Sequence, residues 1–408
     1  MDETTQPHVI HPRRGDAPRI DPARGASPSA EESGTAPAKG ASPLPAHTPA
    51  SAVRPTNGRP VVKVLGLGGG GSNAINRMIE LGVGGVEYIA ANTDRQALAS
   101  SLAQVKIQLG PKVTRGLGAG GNPRIGSAAA MESSREIAEA LGGADMVFLT
   151  CGMGGGTGTG SAAVAAEIAR EIGAVTIAVV TLPFGFEMGR RMQNAQAGVR
   201  ALQPHTHTLI TVPNDRLLKV VPKDVSLEIA FRLADDVLRQ GIQGISELIT
   251  RPGLINVDFA HVRQLMMRGG GALMSIGLGE GPDKAVQAVQ QALHHPLIEI
   301  DSLDQANGVL VDFAGGEDLT LHEISEAVAE LRETLRPETE VILGAGMDES
   351  LEGRAQVILI VTGLGGQAVS PVTRTSEEAQ PAIAGAPPEG EIDLDIPAFL
   401  RRRPAAAG

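Results

Sequence analysis

The 408-residue chain carries 35 basic and 46 acidic residues, a formal charge of −11. That balance argues against a nucleic-acid binder, which needs a basic surface to neutralise phosphates, and 2 % aromatics with no Trp leave little for base stacking. The single cysteine, Cys151, excludes an internal disulfide, and with no apolar run near the roughly 18 residues of a membrane span and no signal-like start, a cytosolic protein is expected.

Residues 1–59 read as a disordered tail. Eleven of the 27 prolines fall in residues 1–60 among Ala, Ser and Gly, and such a segment buries too little apolar surface to offset its ordering entropy. At Val61 the texture changes. Residues 61–67 are a short apolar run closing on glycines, which predicts a buried strand. Residues 72–81 predict a helix with Ser72 as N-cap. A second strand at 86–91 ends at Asn92-Thr93-Asp94. A helix at 131–141, a strand at 146–150, a small-residue helix at 160–172 and a strand at 175–182 follow. This alternation predicts a Rossmann-like α/β domain with a mostly parallel sheet over 60–225.

Apolar residues then recur at Leu227, Phe231, Ala234, Val237, Leu238, Ile242, Ile245 and Leu248. The period is helical, and 226–250 reads as one central helix of roughly 36 Å. Residues 251–364 read as a smaller α/β sheet domain, with strands at 272–277, 308–313, 340–345 and 356–362 and helices at 282–293 and 321–335. A Pro-, Ala-, Gly- and Glu-rich linker covers 365–391. Residues 392–403 end in an apolar cluster backed by Arg401, Arg402 and Arg403, the form of a partner-binding peptide.

Two glycine loops carry the chemistry. In Gly66-Leu67-Gly68-Gly69-Gly70-Gly71, Gly66, Gly68 and Gly71 fall in the G-x-G-x-x-G register between a strand and a helix. Glycine lets the backbone approach a phosphate, and a helix N-terminus presents free N–H groups to it. Taken alone, this loop fits a dinucleotide enzyme with Glu87 or Asp94 as the ribose acid, or a turn without ligand. The second loop, Cys151 to Gly160, also follows a strand and opens a helix. Six glycines in the nine positions 152–160 cost more backbone entropy than a structural turn requires. Two threonine hydroxyls among bare amides suit a polyphosphate. A dinucleotide fold needs only the first loop, and the G-K-[ST] ending of a P-loop is missing. His205, His207, His294 and His295 fall in no acid–base setting that an oxidoreductase would use.

Gly154-Gly155-Gly156-Thr157-Gly158-Thr159-Gly160 resembles the signature of the tubulin/FtsZ GTPases. The likeness continues in order through Asn92-Thr93-Asp94, 116–120, 183–187, 212–215, 250–253, 256–259 and the closing Asp395-Ile396-Pro397-Ala398-Phe399-Leu400. It covers about 61–365 and 393–403 and points to the cell-division branch. The resemblance implies a GTPase domain, a long central helix and a smaller C-terminal domain. It implies GTP and GDP as ligands, Mg²⁺ accompanying GTP, and no metal site of the protein's own. Gly69, Gly70, Gly71, Ser72 and Asn73 and then Gly156, Thr157 and Gly158 fall at the nucleotide's phosphate end. Glu187 and Arg191, one helical turn apart, fall at the ribose. Asp236 takes the guanine-reading place, where a carboxylate accepts two N–H bonds that adenine does not offer. Phe231 stacks on the base, and Asp235 stands where the family commonly has Asn.

The family's catalytic loop, which reaches the nucleotide of the next subunit, falls on Asn256, Asp258 and His261. His261 stands where the family carries a second Asp. Two acids polarise water and hold a cation, whereas a histidine accepts a proton but is a poor Mg²⁺ ligand. This departure bears on hydrolysis and not on binding. The implied function is head-to-tail polymerisation into filaments of the cytokinetic ring at the mid-cell division site; the alternative is a filament-forming or regulatory homologue that binds GTP and hydrolyses it weakly. Membrane-tethering division proteins would dock on Ile396, Phe399 and Leu400, with no nucleic-acid partner and no direct membrane insertion.

Overall fold

The computed structural model describes residues 59–187, 189–219, 226–250, 253–255, 257–297, 303 and 305–364. The expected N-terminal tail up to residue 58, the linker and the C-terminal peptide lie outside the described residues, as does Asn256. The strands are β1 Val62–Leu67, β2 Glu87–Asn92, β3 Val105–Gln108, β4 Met146–Gly152, β5 Val175–Leu182, β6 Thr208–Pro213, β7 Gly270–Glu280, β8 Gly308–Gly315, β9 Glu340–Met347 and β10 Arg354–Leu364. The helices of the first half are α1 Gly68–Glu80, α2 Arg95–Ala99, α3 Pro111–Thr114, α4 Pro123–Glu132, α5 Ser134–Leu141, α6 Thr157–Glu171, α7 Arg190–Leu202 and α8 Asn214–Leu217. Beyond them come α9 Leu227–Thr250, α10 Phe259–Met267, α11 Lys284–Leu293 and α12 Leu321–Glu333.

All ten strands join one sheet in the order β3-β2-β1-β4-β5-β6-β7-β10-β8-β9. Every pairing is parallel except those of β10, which runs antiparallel to β7 and β8. β1 is buried at every position, as a strand covered by helices on both faces must be. The sheet does not stop where the sequence changes unit: Thr208, Leu209 and Ile210 of β6 pair with Gly270, Gly271 and Ala272 of β7.

The long helix lies across that junction. Leu238, Ile242 and Ile245 of α9 share one core with Val64, Phe148, Ile177, Met274 and Ile358. Each large side chain so buried contributes roughly 2 kcal/mol. Gly241 and Gly244 permit the approach, because a Cβ on them would fall 2.6 Å from Met274 Sδ and 2.7 Å from Ile358 Cδ1. On the opposite face the alanines of α6 pack with Leu149, Ile137 and Leu141. There α6 meets α4 nearly backbone to backbone, since a Cβ on Gly160 would lie 2.0 Å from the Pro123 carbonyl oxygen. A third core forms between the C-terminal strands and α11 and α12.

Three local expectations change. The first helix starts at Gly68, with no side-chain cap, and Ser72 is inside it rather than at its N-cap. The helix expected over 131–141 is divided between two helices that break at Ser133, whose hydroxyl donates to the Gln108 carbonyl and accepts from the Gly110 N–H. The pattern shows no element over 95–122 or 183–225, where short glycine- and proline-punctuated pieces give α2, β3, α3, α7, β6 and α8.

Candidate functional site

In a parallel sheet a ligand sits at the carboxyl ends of the strands, where the strand order reverses. Here the reversal falls between β1 and β4, and both glycine loops leave the sheet there. A cavity of about 360 Å³ opens between them. The loops touch backbone to backbone: a Cβ on Gly68 would lie 2.9 Å from the Gly158 nitrogen, and one on Gly70 would lie 3.0 Å from the Gly152 nitrogen. Side chains would separate them, which is why the sequence spends glycine there. Gly68 and Gly154 also take φ of +69° and +102°, conformations that L side chains resist.

The N-termini of α1 and α6 both face this cavity, and neither has a side-chain cap. A helix start leaves four N–H groups without intrahelical partners, and an anion is their natural complement. Gly69, Gly70, Asn73, Gly156, Thr157 and Gly158 line the cavity. Gly71 and Ser72 do not. A Cβ on Gly71 would meet the Thr150 carbonyl oxygen at 2.4 Å, and Ser72 is buried with its hydroxyl unpartnered among the described residues. Of the two loop threonines, Thr157 shares a 2.5 Å hydroxyl hydrogen bond with Thr93, while Thr159 accepts from the Gly154 N–H and so shapes the loop itself.

The other end of the cavity is apolar and acidic. Glu187 and Arg191 pair at 2.7 Å, with the carboxylate nearly buried; Glu187 also accepts from the Phe184 N–H. Phe231 meets Phe184 edge-on at 5.3 Å and presents its exposed remainder to the cavity. The acid expected at the guanine, Asp236, stands outside the cavity lining, whereas Asp235 lines it. Successive helix positions differ by about 100°, and Asp236 is turned toward Arg239 and Gln240, which donate to it. Burial pushes its carboxyl up, but those two hydrogen bonds together with the charges of Arg239 and Arg77 hold it below the usual range. Asp235 has no such partner among the described residues, and burial pushes its carboxyl up to about 7. Asn214, at the end of β6, also faces the cavity with a buried Oδ1 that finds no hydrogen bond among the described residues. It lies in the 212–215 motif but was not among the expected site residues; neighbouring Asp215 instead accepts from the Gly185 N–H.

The donor set fits a guanine nucleotide. Two uncapped helix starts suit its phosphates, an ion-paired Glu187 and Arg191 suit ribose hydroxyls, and a partnerless carboxylate beside an aromatic ring suits a base with adjacent N–H donors. Asp258 and His261 lie elsewhere. Asp258 caps α10 by accepting from the Ala260 N–H at 3.0 Å, and both residues line a separate hollow against 340–343 of β9. The nucleotide cavity and this hollow share no lining residue. Among the described residues, no cluster of three or more His, Cys, Asp or Glu is placed to hold a metal.

Comparison with known proteins adds an independent line. The family model for the Tubulin/FtsZ family GTPase domain matches residues 61–222, and that for the FtsZ family C-terminal domain matches residues 270–365. The Cell division protein FtsZ of Pseudomonas aeruginosa is 46 % identical over 351 residues, covering 84 % of this chain and 89 % of that protein. A solved FtsZ dimer from M. jannaschii is 48 % identical, with a TM-score of 0.73 over 75 % of this chain and 89 % of that one. CetZ2 of Haloferax volcanii, solved as a GTPγS-bound protofilament, is 21 % identical with a TM-score of 0.64 over 74 % of this chain and 93 % of that one, a likeness of fold.

Proposed function

Because the chain belongs to the FtsZ family of tubulin-like GTPases, we propose that it binds GTP between its two glycine loops and hydrolyses it in head-to-tail filaments that drive cell division. The observation that carries this reading is the pair of uncapped helix N-termini meeting at one cavity whose far end holds Phe231 and Asp235. The α1 and α6 amides hold the phosphates, Mg²⁺ arrives with them, and Glu187 and Arg191 hold the ribose. Asp235, once ionised, accepts N1–H and N2–H of guanine, which adenine does not offer as a pair. Asn214 adds a side-chain amide to the same end of the pocket.

Hydrolysis is completed in trans. The hollow with Asp258 and His261 is distinct from the nucleotide cavity, which supports a second copy bringing the loop to the γ-phosphate. There Asn256 and Asp258 orient a water, whose oxygen attacks the γ-phosphorus as the bond to the β-phosphate oxygen breaks. The proton leaves to Asp258 or His261, and GDP and phosphate remain. A contact that joins two different faces does not close on itself, so the product is an open filament. The comparisons do not favour a weakly hydrolysing homologue. The filament works in the cytoplasm at mid-cell, tethered to the membrane through Ile396, Phe399 and Leu400; among the described residues no helix is long and apolar enough to cross a membrane.

The test is GTP hydrolysis against protein concentration, with polymer pelleted in parallel. Turnover that rises only above a critical concentration, together with polymer, is expected. Turnover proportional to protein at all concentrations would refute the trans site.

A further inference from the structure

The Asn92-Thr93-Asp94 motif closes β2 and leads into α2 without lining the nucleotide cavity. Its outer members have local work. The Asp94 carboxylate caps α2 by accepting from the Gln96 and Ala97 N–H groups, and Asn92 Oδ1 accepts from the Asp94 N–H at 3.1 Å. Neither role explains Thr93 between them. Thr93 is wholly buried, and its hydroxyl lies 2.5 Å from that of Thr157, the first residue of α6. Thr157 lines the cavity, so Thr93 stands directly behind the cavity wall. Both residues are held in place. The Thr93 carbonyl oxygen accepts from Gln108 Nε2 at 3.0 Å, from the Thr114 hydroxyl at 3.3 Å and from the Gly118 N–H at 3.3 Å, and a side chain branched at Cβ has few rotamers. The first glycine loop packs against Thr157, since a Cβ on Gly68 would lie 3.3 Å from Thr157 Cβ.

We propose that Thr93 is a positioning residue for nucleotide binding: its hydroxyl donates to Thr157 Oγ1 and so turns the Thr157 proton toward a phosphate oxygen in the cavity. The inference rests on the reading that the phosphates lie between the two glycine loops. The direction of the bond follows from burial. A hydroxyl has one proton to give and two lone pairs to accept with. Among the described residues, Thr157 is the hydrogen-bond partner of the Thr93 hydroxyl, and no second one is present. If Thr157 gave its proton to Thr93, the Thr93 proton would be buried without an acceptor, which costs free energy. If Thr93 gives its proton to Thr157, the buried group is satisfied and the Thr157 proton is left facing the cavity. A hydroxyl that accepts one hydrogen bond also donates more strongly in the next, because the chain polarises. An anion is the acceptor this arrangement suits, and the uncapped start of α6 beside it favours the same charge. Thr93 touches no ligand and acts through Thr157.

Calorimetry on the full-length chain with GDP and with GTPγS, below the concentration at which polymer forms, reads this. Thr93→Ala and Thr93→Ser both lose the methyl group and differ in the hydroxyl. Thr93→Ser should bind both nucleotides within about twofold of the native chain, whereas Thr93→Ala should weaken at least one of them about fivefold or more, the worth of one hydrogen bond. In the Thr157→Ala background, which lacks the hydroxyl being turned, adding Thr93→Ala should change neither affinity by more than about twofold. Nucleotide-free melting temperatures of Thr93→Ala and Thr93→Ser should differ by no more than about 3 °C, which separates binding from folding. The proposal is overturned by native-like affinities in Thr93→Ala, by an equal loss in Thr93→Ser, or by the same loss recurring in the Thr157→Ala background. Native-like binding of both nucleotides by Thr157→Ala overturns it as well, together with the placing of the phosphates at the second glycine loop. A loss in Thr157→Ala with none in Thr93→Ala removes the role of Thr93 and leaves that placing intact.

Discussion

Asp235 offers the sharpest test of the nucleotide site, because stability and binding should move in opposite directions when it is changed. Its carboxyl stands about three units above the ordinary 3.8, so an ionised Asp235 costs the free protein at most roughly 4 kcal/mol. The raised value means that this cost is absent below about pH 4 and grows as pH rises to about 7, and stability is lost over that window. Asp235→Asn removes the charge at nearly constant volume. The nucleotide-free variant should therefore melt higher than the native chain at pH 8, and the gain should vanish near pH 4. Binding should suffer. Guanine loses two charge-assisted acceptors and meets a donor, a loss of roughly 2–4 kcal/mol or about 30- to 1000-fold in Kd. Calorimetry with GDP reads this directly. Native affinity should fall by up to about tenfold per unit below about pH 7, while the variant stays flat over the same range. Xanthosine diphosphate, whose C2 carbonyl accepts from Asn, should bind the variant better than GDP does. Unchanged GDP affinity in Asp235→Asn, with the loss appearing in Asp236→Asn instead, would refute the assignment and return the guanine contact to Asp236.

Mixing two inactive variants tests the shared site. Asp258→Ala should bind GDP normally and release no phosphate; Gly158→Val, which crowds the backbone of Gly152 and Leu67, should bind no nucleotide; and their mixture should regain turnover, with none in the mixture counting against completion by a neighbour. Arg191→Ala removes a guanidinium that is more than half exposed, so stability should change by less than about 1 kcal/mol while GDP affinity drops several-fold in the same calorimetric assay. Gly160→Ala places a methyl 2.0 Å from the Pro123 carbonyl and should destabilise by about 3 kcal/mol or more in denaturant unfolding, whereas Gly173→Ala, at an open position with φ +86°, should cost only about 1 kcal/mol.

Much of this protein is written locally. Residues 61–67, 146–150 and 175–182 are apolar without alternation, and a strand buried on both faces needs that pattern wherever it ends up. The glycine loops are legible for the same reason: whether Gly68 can hold φ +69°, or Gly158 can touch Leu67, is decided by the absence of a Cβ on that residue itself. The glycine loops and the long helix followed from such short-range facts, and the GTPase family from the resemblance that the second loop carries. Only the tertiary structure decided the rest. Asp235 and Asp236 are chemically identical neighbours on one helix. Which of them lines the cavity depends on Arg239 drawing one aside and on the face of α9 that Met274 and Ile358 bury. Asn214 became a candidate only when the end of β6 set it in the cavity with a buried Oδ1 that has no partner among the described residues. The joining of β6 to β7 and the cleft that Asp312 and Glu247 both line bring together residues 60 or more positions apart. Backbone conformation is set by atoms within a few residues, so the sequence carries it openly. The direction and charge state of a side chain are set by neighbours that arrive only when the chain has folded.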